Sequence, residues 1–190
     1  MYYSQFGEDQ WIVENIPLPE KGIYVDVGAG NPIVGNNTYF LQKKGWDGLS
    51  IDADPRTFKD LIEKRQDCFF SVIGGDNGFR TFYLNPTISD LSSLTPIDGA
   101  KTILSPEFTL IRVLDALGEK YENIDLLSVD VEGHEIEVLS PFLAIRKPRI
   151  VICEYNTSGI KKLEEVKSFL GDQCGYEIAH ISEANIIATV

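Results

Sequence analysis

Apolar positions along this chain recur with two periods, every second residue or every third to fourth, and the switches between them predict an α/β order. Residues 4–16 set Phe6, Trp11, Ile12 and Ile16 at helical spacing behind a capping Ser4, and Pro17 and Pro19 stop the helix. The β-formers Tyr24, Val25 and Val27 follow and end at Gly28 and Gly30. Asn36, Asn37 and Thr38 can cap a helix through Tyr39, Phe40 and Leu41, with Gly45 as its left-handed stop. A strand over 49–51, a helix over 56–64 with Phe58, Leu61 and Ile62 on one face, and strands over 68–73 and 81–84 come next. Residues 85–107 have no helical period and read as a long polar loop. β-character returns over 108–111, and a short helix is expected over 112–117. A buried strand follows over 126–131, then a helix with Ile136 and Leu139 inward, and a strand over 149–153. Ile160, Leu163, Val166 and Phe169 mark the last helix, and segments 176–180 and 185–190 can close the chain as a hairpin. No repeat, linker or low-complexity tract interrupts this order, and the 190 residues predict one doubly wound domain over 1–190.

Within that order the segment IYVDVGAGNP has the make-up of a ligand-binding turn. Gly28 and Gly30 permit a sharp bend, and the lack of a Cβ at either leaves room for a nucleotide. A glycine turn with no ligand is the competing explanation. A dinucleotide fingerprint puts a third glycine three residues past Gly30, where Ile33 stands, so a nicotinamide dehydrogenase is disfavoured. What remains is a nucleoside ligand without a diphosphate, and S-adenosylmethionine is the commonest. Asp52 closes the next strand about 24 residues beyond Gly28, near the spacing at which such folds set an acid on the ribose. A carboxylate can accept from both hydroxyls of that vicinal diol. Asp54 precedes Pro55 and suits an N-cap instead.

Further acids stand at later strand ends. In the turn GGDNG, Asp76 can read the adenine edge, although a plain turn explains the same letters. The loop 85–107 is the expected lid or substrate-binding segment. In IDLLSVDVEGHE, Asp130 ends a strand and Glu132 and His134 flank Gly133, at the carboxyl edge where open α/β sheets hold ligands. Glu135 suits the first turn of the next helix. Glu154 and Asn156 follow the strand over 149–153, where an exposed acid is the plain alternative to a site role. On pattern alone Gln5 and Asp9 of SQFGED are capping or solvated groups, and His180 is a surface strand residue.

Composition narrows the partners. The net charge of −12, from 29 acids against 17 bases, disfavours nucleic acid and anionic membrane surfaces. Cys68, Cys153 and Cys174 lack metal-ligand spacing and read as core thiols of a reducing compartment. Near Met1 there is no basic-then-apolar leader, and no apolar run reaches spanning length, so a cytoplasmic protein is expected.

Taken in order, SQFGED, VDVGAGNP, NNTYFLQKKGWDGLSIDADP, GGDNG and DLLSVDVEGHE resemble the FkbM-type S-adenosylmethionine-dependent methyltransferases over nearly the whole chain. The resemblance implies a class I methyltransferase fold: a seven-stranded, mostly parallel sheet with its last strand reversed and helices on both faces. It implies O-methylation of a sugar or other small polar acceptor. It assigns Asp26, Gly28 and Gly30 to the methionine side of the donor, Asp52 to the ribose, and Asp130 and Glu132 to the catalytic edge. Gln5 and Asn37 also match family positions and join the cofactor set. His134 stands where many relatives carry a small residue, which alters the acceptor pocket or supplies a base. The expected proton acceptor is Asp130 or His134, with Glu132 and Glu154 orienting the acceptor. No metal is predicted, although clustered carboxylates also fit magnesium. The alternative is a binding module that keeps the fold without activity.

Overall fold

The structure, a computed structural model, describes residues 1–155 and 160–190. Its strands are β1 (Ile23–Val27), β2 (Asp47–Asp52), β3 (Asp67–Phe70), β4 (Val72–Ile73), β5 (Gly78–Leu84), β6 (Lys101–Phe108), β7 (Leu126–Val129), β8 (Ile150–Glu154), β9 (Glu177–Ile181) and β10 (Asn185–Thr189). Its helices are α1 (Glu8–Asn15), α2 (Tyr39–Lys43), α3 (Pro55–Lys64), α4 (Leu110–Leu117), α5 (Glu135–Leu143) and α6 (Ile160–Ser168). Seven strands form one sheet in the order β3-β2-β1-β7-β8-β10-β9, parallel except for β10, which runs against both of its neighbours.

The central strands are apolar on both faces because helices cover both. Val25, Val27, Leu49, Ile51, Leu127, Val129 and Val151 pack on one side with Leu114, Val138 and Phe142 of α4 and α5. Tyr24, Leu126, Ile150 and Ile152 face the other side, against Ile12 of α1, Phe40 and Leu41 of α2, and Trp46. Each side chain so buried contributes about 1.5–3 kcal/mol. Among the described residues no helix is long and apolar enough to cross a membrane, and the three cysteines are free thiols.

The observed elements correct the sequence expectations in several places, among them residues 110–111, expected as strand, which open α4. Helix α1 begins at Glu8, after Gly7 in a left-handed conformation (φ 83°), and not at Ser4. Ser4 instead bridges to Gly35, because the buried Asp9 accepts from the Ser4 hydroxyl (2.6 Å) and from the Tyr3 backbone and so folds this segment back. The strand expected over 68–73 breaks at Ser71. Its second half, β4, leaves the main sheet to pair with β6. The end of the supposed loop 85–107 is strand: β6 pairs antiparallel with β5 from Lys101 to Phe108, forming a three-stranded sheet, β4-β6-β5. Ile160 does not join the core and is 81% exposed.

Register positions the site. Val27 is opposite both Ile51 and Val129, and Val129 is opposite Cys153. The next residue on each strand is therefore Asp52, Gly28, Asp130 and Glu154, four positions at one level along the carboxyl edge. Backbone bonds from Gly28 to Ile51 (2.9 Å) and from Asp130 to Val27 (2.9 Å) hold the row.

Candidate active site

The glycine turn after β1 is shaped from above and below. Both Gly28 (φ 72°) and Gly30 (φ 55°) are left-handed, but a Cβ would act differently at each. At Gly28 it would stand 1.6 Å from the Asp130 carbonyl oxygen, so this glycine lets the ends of β1 and β7 close on one another. At Gly30 the nearest atom is the Asp90 carboxyl carbon at 3.5 Å, an ordinary contact, and the turn conformation itself calls for glycine. Gly28 thus serves strand packing as well as the turn expected of it.

Asp26 lies beneath the turn rather than in the cleft. Its carboxylate accepts from Thr38 Oγ1 (2.7 Å) and Asn36 Nδ2 (3.1 Å), and the buried Arg65 stands 3.7 Å away. Asn36 Nδ2 also donates to the Ala29 carbonyl (2.9 Å), while Asn36 Oδ1 accepts from the backbone of Thr38 and Tyr39 at the start of α2. Asn36 was expected only as a cap, and it fastens the turn as well. Asn37 is buried beside it and lines neither of the two cavities at the carboxyl edge.

Two adjoining cavities open above the row. The first spans about 520 Å³, open solvent at its mouth included, between Gly28, Gly30, Asp52, Asp130 and an apolar wall of Ala53, Val72, Ile73, Phe82 and Leu94. Ala53, Val72, Phe82 and Leu94 of that wall belong to a small core of their own, while Ile73 joins the main core. The second, about 1370 Å³, lies between Tyr3, Gln5, Phe6, Asn31, Val34, Leu91, Asp130, Glu132 and Glu154. Gly28, Gly30, Asp90, Asp130 and Glu132 border both.

The acids are tuned by this enclosure. Asp52 accepts from the backbone N–H of Gly30 (3.0 Å) and Asp54 (2.8 Å), yet burial, aided by Asp54 and Asp90, pushes its pKa up to about 7. Burial resists ionisation of Asp54 too, but hydrogen bonds from Arg56 and Ser92 hold it below the usual range. Asp54 also accepts from the Arg56 N–H (2.8 Å) and is the N-cap of α3 that its place before Pro55 predicts. Asp130, Glu132 and Glu154 bring carboxylate oxygens within 4.8 Å of one another. Burial first, then the charges of Glu154 and Glu132, drive Asp130 well above the usual carboxylate range. Burial, then Glu154, Glu135 and Asp90, bring Glu132 to about 7.

Glu132 is also the one described non-glycine residue with positive φ (55°), a conformation that costs about 1–2 kcal/mol. Glu135, at the start of α5, accepts from the Gly133 N–H (2.7 Å) and so holds the turn, and Lys162 donates to the Gly133 carbonyl (3.3 Å). This gives Glu135 the structural part expected of it.

The remaining candidates are scattered. Gln5 lines the second cavity. Asp76 is exposed and lines neither cavity. His134 lines neither: its ring sits between Glu137 Oε2 (3.1 Å) and Thr95 Oγ1 (3.3 Å). His180 stacks on Trp11 with ring centroids 4.7 Å apart. Asn156 lies outside the described residues.

One segment, expected as a lid or substrate-binding loop, holds residues that the sequence reading did not single out. Ser89–Leu91 forms a short 3-10 turn above Gly30, and Ser92 and Ser93 tie it down. Ser92 Oγ donates to Asp54 (2.7 Å), and Ser93 Oγ donates to the Glu132 carbonyl (3.2 Å). The cluster SDLSS inside a long polar loop was the available signal.

A solved fibrillarin/Nop5p complex contains a chain of similar fold, with a TM-score of 0.51 at 14% identity over 98% of this chain and 80% of that one. A TehB-like SAM-dependent methyltransferase from Corynebacterium glutamicum ATCC 13032 Kitasato aligns at a TM-score of 0.46 and 15% identity, covering 96% of this chain and 85% of that one. No curated protein matches significantly. The methyltransferase FkbM domain matches residues 26–178, from the strand that carries the glycine turn to the first strand of the closing hairpin. The sheet order, the carboxyl-edge cleft and that match agree, and the chain belongs to the FkbM methyltransferase domain family.

Proposed function

We propose that this protein transfers the methyl group of S-adenosylmethionine to a hydroxyl of a sugar or other small polar acceptor. The observation that carries the reading is the row Asp52, Gly28, Asp130 and Glu154, set at one level by strand register. When bound, the donor supplies a methyl group already activated by a sulfonium. The residues fit it: Asp52 can accept from ribose hydroxyls, the wall of Ala53, Val72, Ile73, Phe82 and Leu94 suits a flat base, and the glycine turn borders the rest. Gln5, Tyr3 and Phe6 in the second cavity offer polar and stacking contacts to a carbohydrate-like acceptor.

The protein's share of the chemistry is alignment and proton removal. Asp130 is the proton acceptor, because it lines both cavities and its neighbours raise its affinity for a proton. Glu132 and Glu154 orient the acceptor hydroxyl. His134, held between Glu137 and Thr95, is left out of this role. Three free thiols fit work in the cytoplasm.

Incubation with methyl-labelled S-adenosylmethionine and a panel of monosaccharides and glycosides tests the reading. Label should move to a hydroxyl, and Asp130→Asn should lower kcat about 100-fold or more while the donor still binds. The acceptor of the proton must be ionised, and its cluster titrates high. Turnover therefore rises with pH above the ordinary carboxylate range, because burial and the charges of Glu154 and Glu132 hold the proton on Asp130 at lower pH. Full turnover by Asp130→Asn, or a rate flat from pH 5 to pH 8, contradicts the assignment.

A further inference from the structure

Asp90 stands where the two cavities meet, and its carboxyl carbon lies 3.5 Å from the position of a Cβ on Gly30. The segment that carries it is pinned at several points. Ser92 binds Asp54 at the end of β2, Ser93 binds Glu132 beyond β7, and Tyr83 and Ser93 exchange backbone hydrogen bonds (2.8 and 3.1 Å). Among the described residues the carboxylate of Asp90 is little used, receiving a hydrogen bond from its neighbour Ser89 (3.1 Å). Arg56, whose charge is coupled to that of Asp90, is already committed to Asp54 at 2.6 Å. Among the described residues no lysine or arginine lines either cavity, while Asp52, Asp90, Asp130, Glu132 and Glu154 do. Such a cleft gains most from a ligand that brings positive charge.

We infer that Asp90 is a donor-binding residue whose carboxylate receives a positively charged group of the methyl donor over Gly30. This rests on the proposed donor, which carries two such groups, a sulfonium and an α-ammonium. A cation there also relieves repulsion among the acids, so the lid turn adds affinity beyond its own contact. S-adenosylhomocysteine keeps the ammonium and lacks the sulfonium, which separates the two partners.

Calorimetric titration of the full chain with each compound, for wild type, Asp90→Asn and Asp90→Glu, tests the inference. Asp90 is exposed, so neither change disturbs the core. Asp90→Asn should weaken S-adenosylmethionine roughly tenfold, the worth of a charge-assisted hydrogen bond, and Asp90→Glu should restore part of the loss. Equal loss for both compounds assigns the ammonium, and loss for S-adenosylmethionine alone assigns the sulfonium. Wild-type affinity of Asp90→Asn for both overturns the inference. Wild type binding neither compound overturns the cofactor reading beneath it.

Discussion

Gly28 and Gly30 share a left-handed backbone but do different work, and substitution separates them. A Cβ on Gly30 meets Asp90 at ordinary distance, so Gly30→Ala carries only the conformational cost, about 1–2 kcal/mol. At Gly28 the added atom collides with the Asp130 carbonyl at 1.6 Å, and β1 and β7 must part to admit it. That adds about 1–3 kcal/mol of overpacking and moves Asp130 itself. Urea titration should therefore place Gly28→Ala well below Gly30→Ala in unfolding free energy, and equal midpoints would show that the two strand ends are not in contact. Asp52 and Asp54 make a similar contrast one strand over. Asp54 caps α3 and is held ionised by Arg56, whereas Asp52 keeps a raised pKa and borders the first cavity. Both parts were legible in the sequence, because a proline after Asp54 marks a helix start and Asp52 ends an apolar run.

Among the elements, the segment over the glycine turn owes two of its ties to one hydroxyl. Ser92 Oγ donates to Asp54 and accepts from the Asn85 N–H (2.9 Å), so it closes the segment between β5 and the end of β2. Ser92→Ala leaves both partners short of a bond in a buried place, at a cost of about 1–3 kcal/mol carried by the lid rather than the sheet. Amide hydrogen exchange should quicken across 85–95 and stay unchanged in β1 and β7. Uniform quickening would mean that the lid and the sheet open together. The sequence reading expected a lid or binding segment over 85–107 and missed strand β6 at its end, for a physical reason. The inward residues of β6 include Ser105 and Glu107, the latter paired with Arg80 at 3.0 Å, while Leu104 points out at 70% exposure. Alternation is present but carries the wrong polarity to be seen. The break at Ser71 is equally hidden, since Val72 and Ile73 are apolar whichever sheet they join.

For the whole molecule, the βα order and the closing hairpin follow from apolar periodicity, the reversed last strand and the helices on both faces follow from the family resemblance, and the structure reproduces them. Convergence does not follow from it. That Asp52, Asp130 and Glu154 share one level depends on register between strands far apart in sequence, which no local pattern encodes. Asp26 shows the converse, an acid beside the glycines whose side chain turns under the sheet edge to Thr38, Asn36 and Arg65. The most direct measurement of the central claim is a crystal structure of the protein soaked with S-adenosylhomocysteine. The adenosine should lie in the first cavity, its base against Val72 and Phe82 and its ribose on Asp52, with the remainder running over Gly28 and Gly30 beneath Asp90. Density for the nucleoside in another place, or none at saturating concentration, would contradict the account.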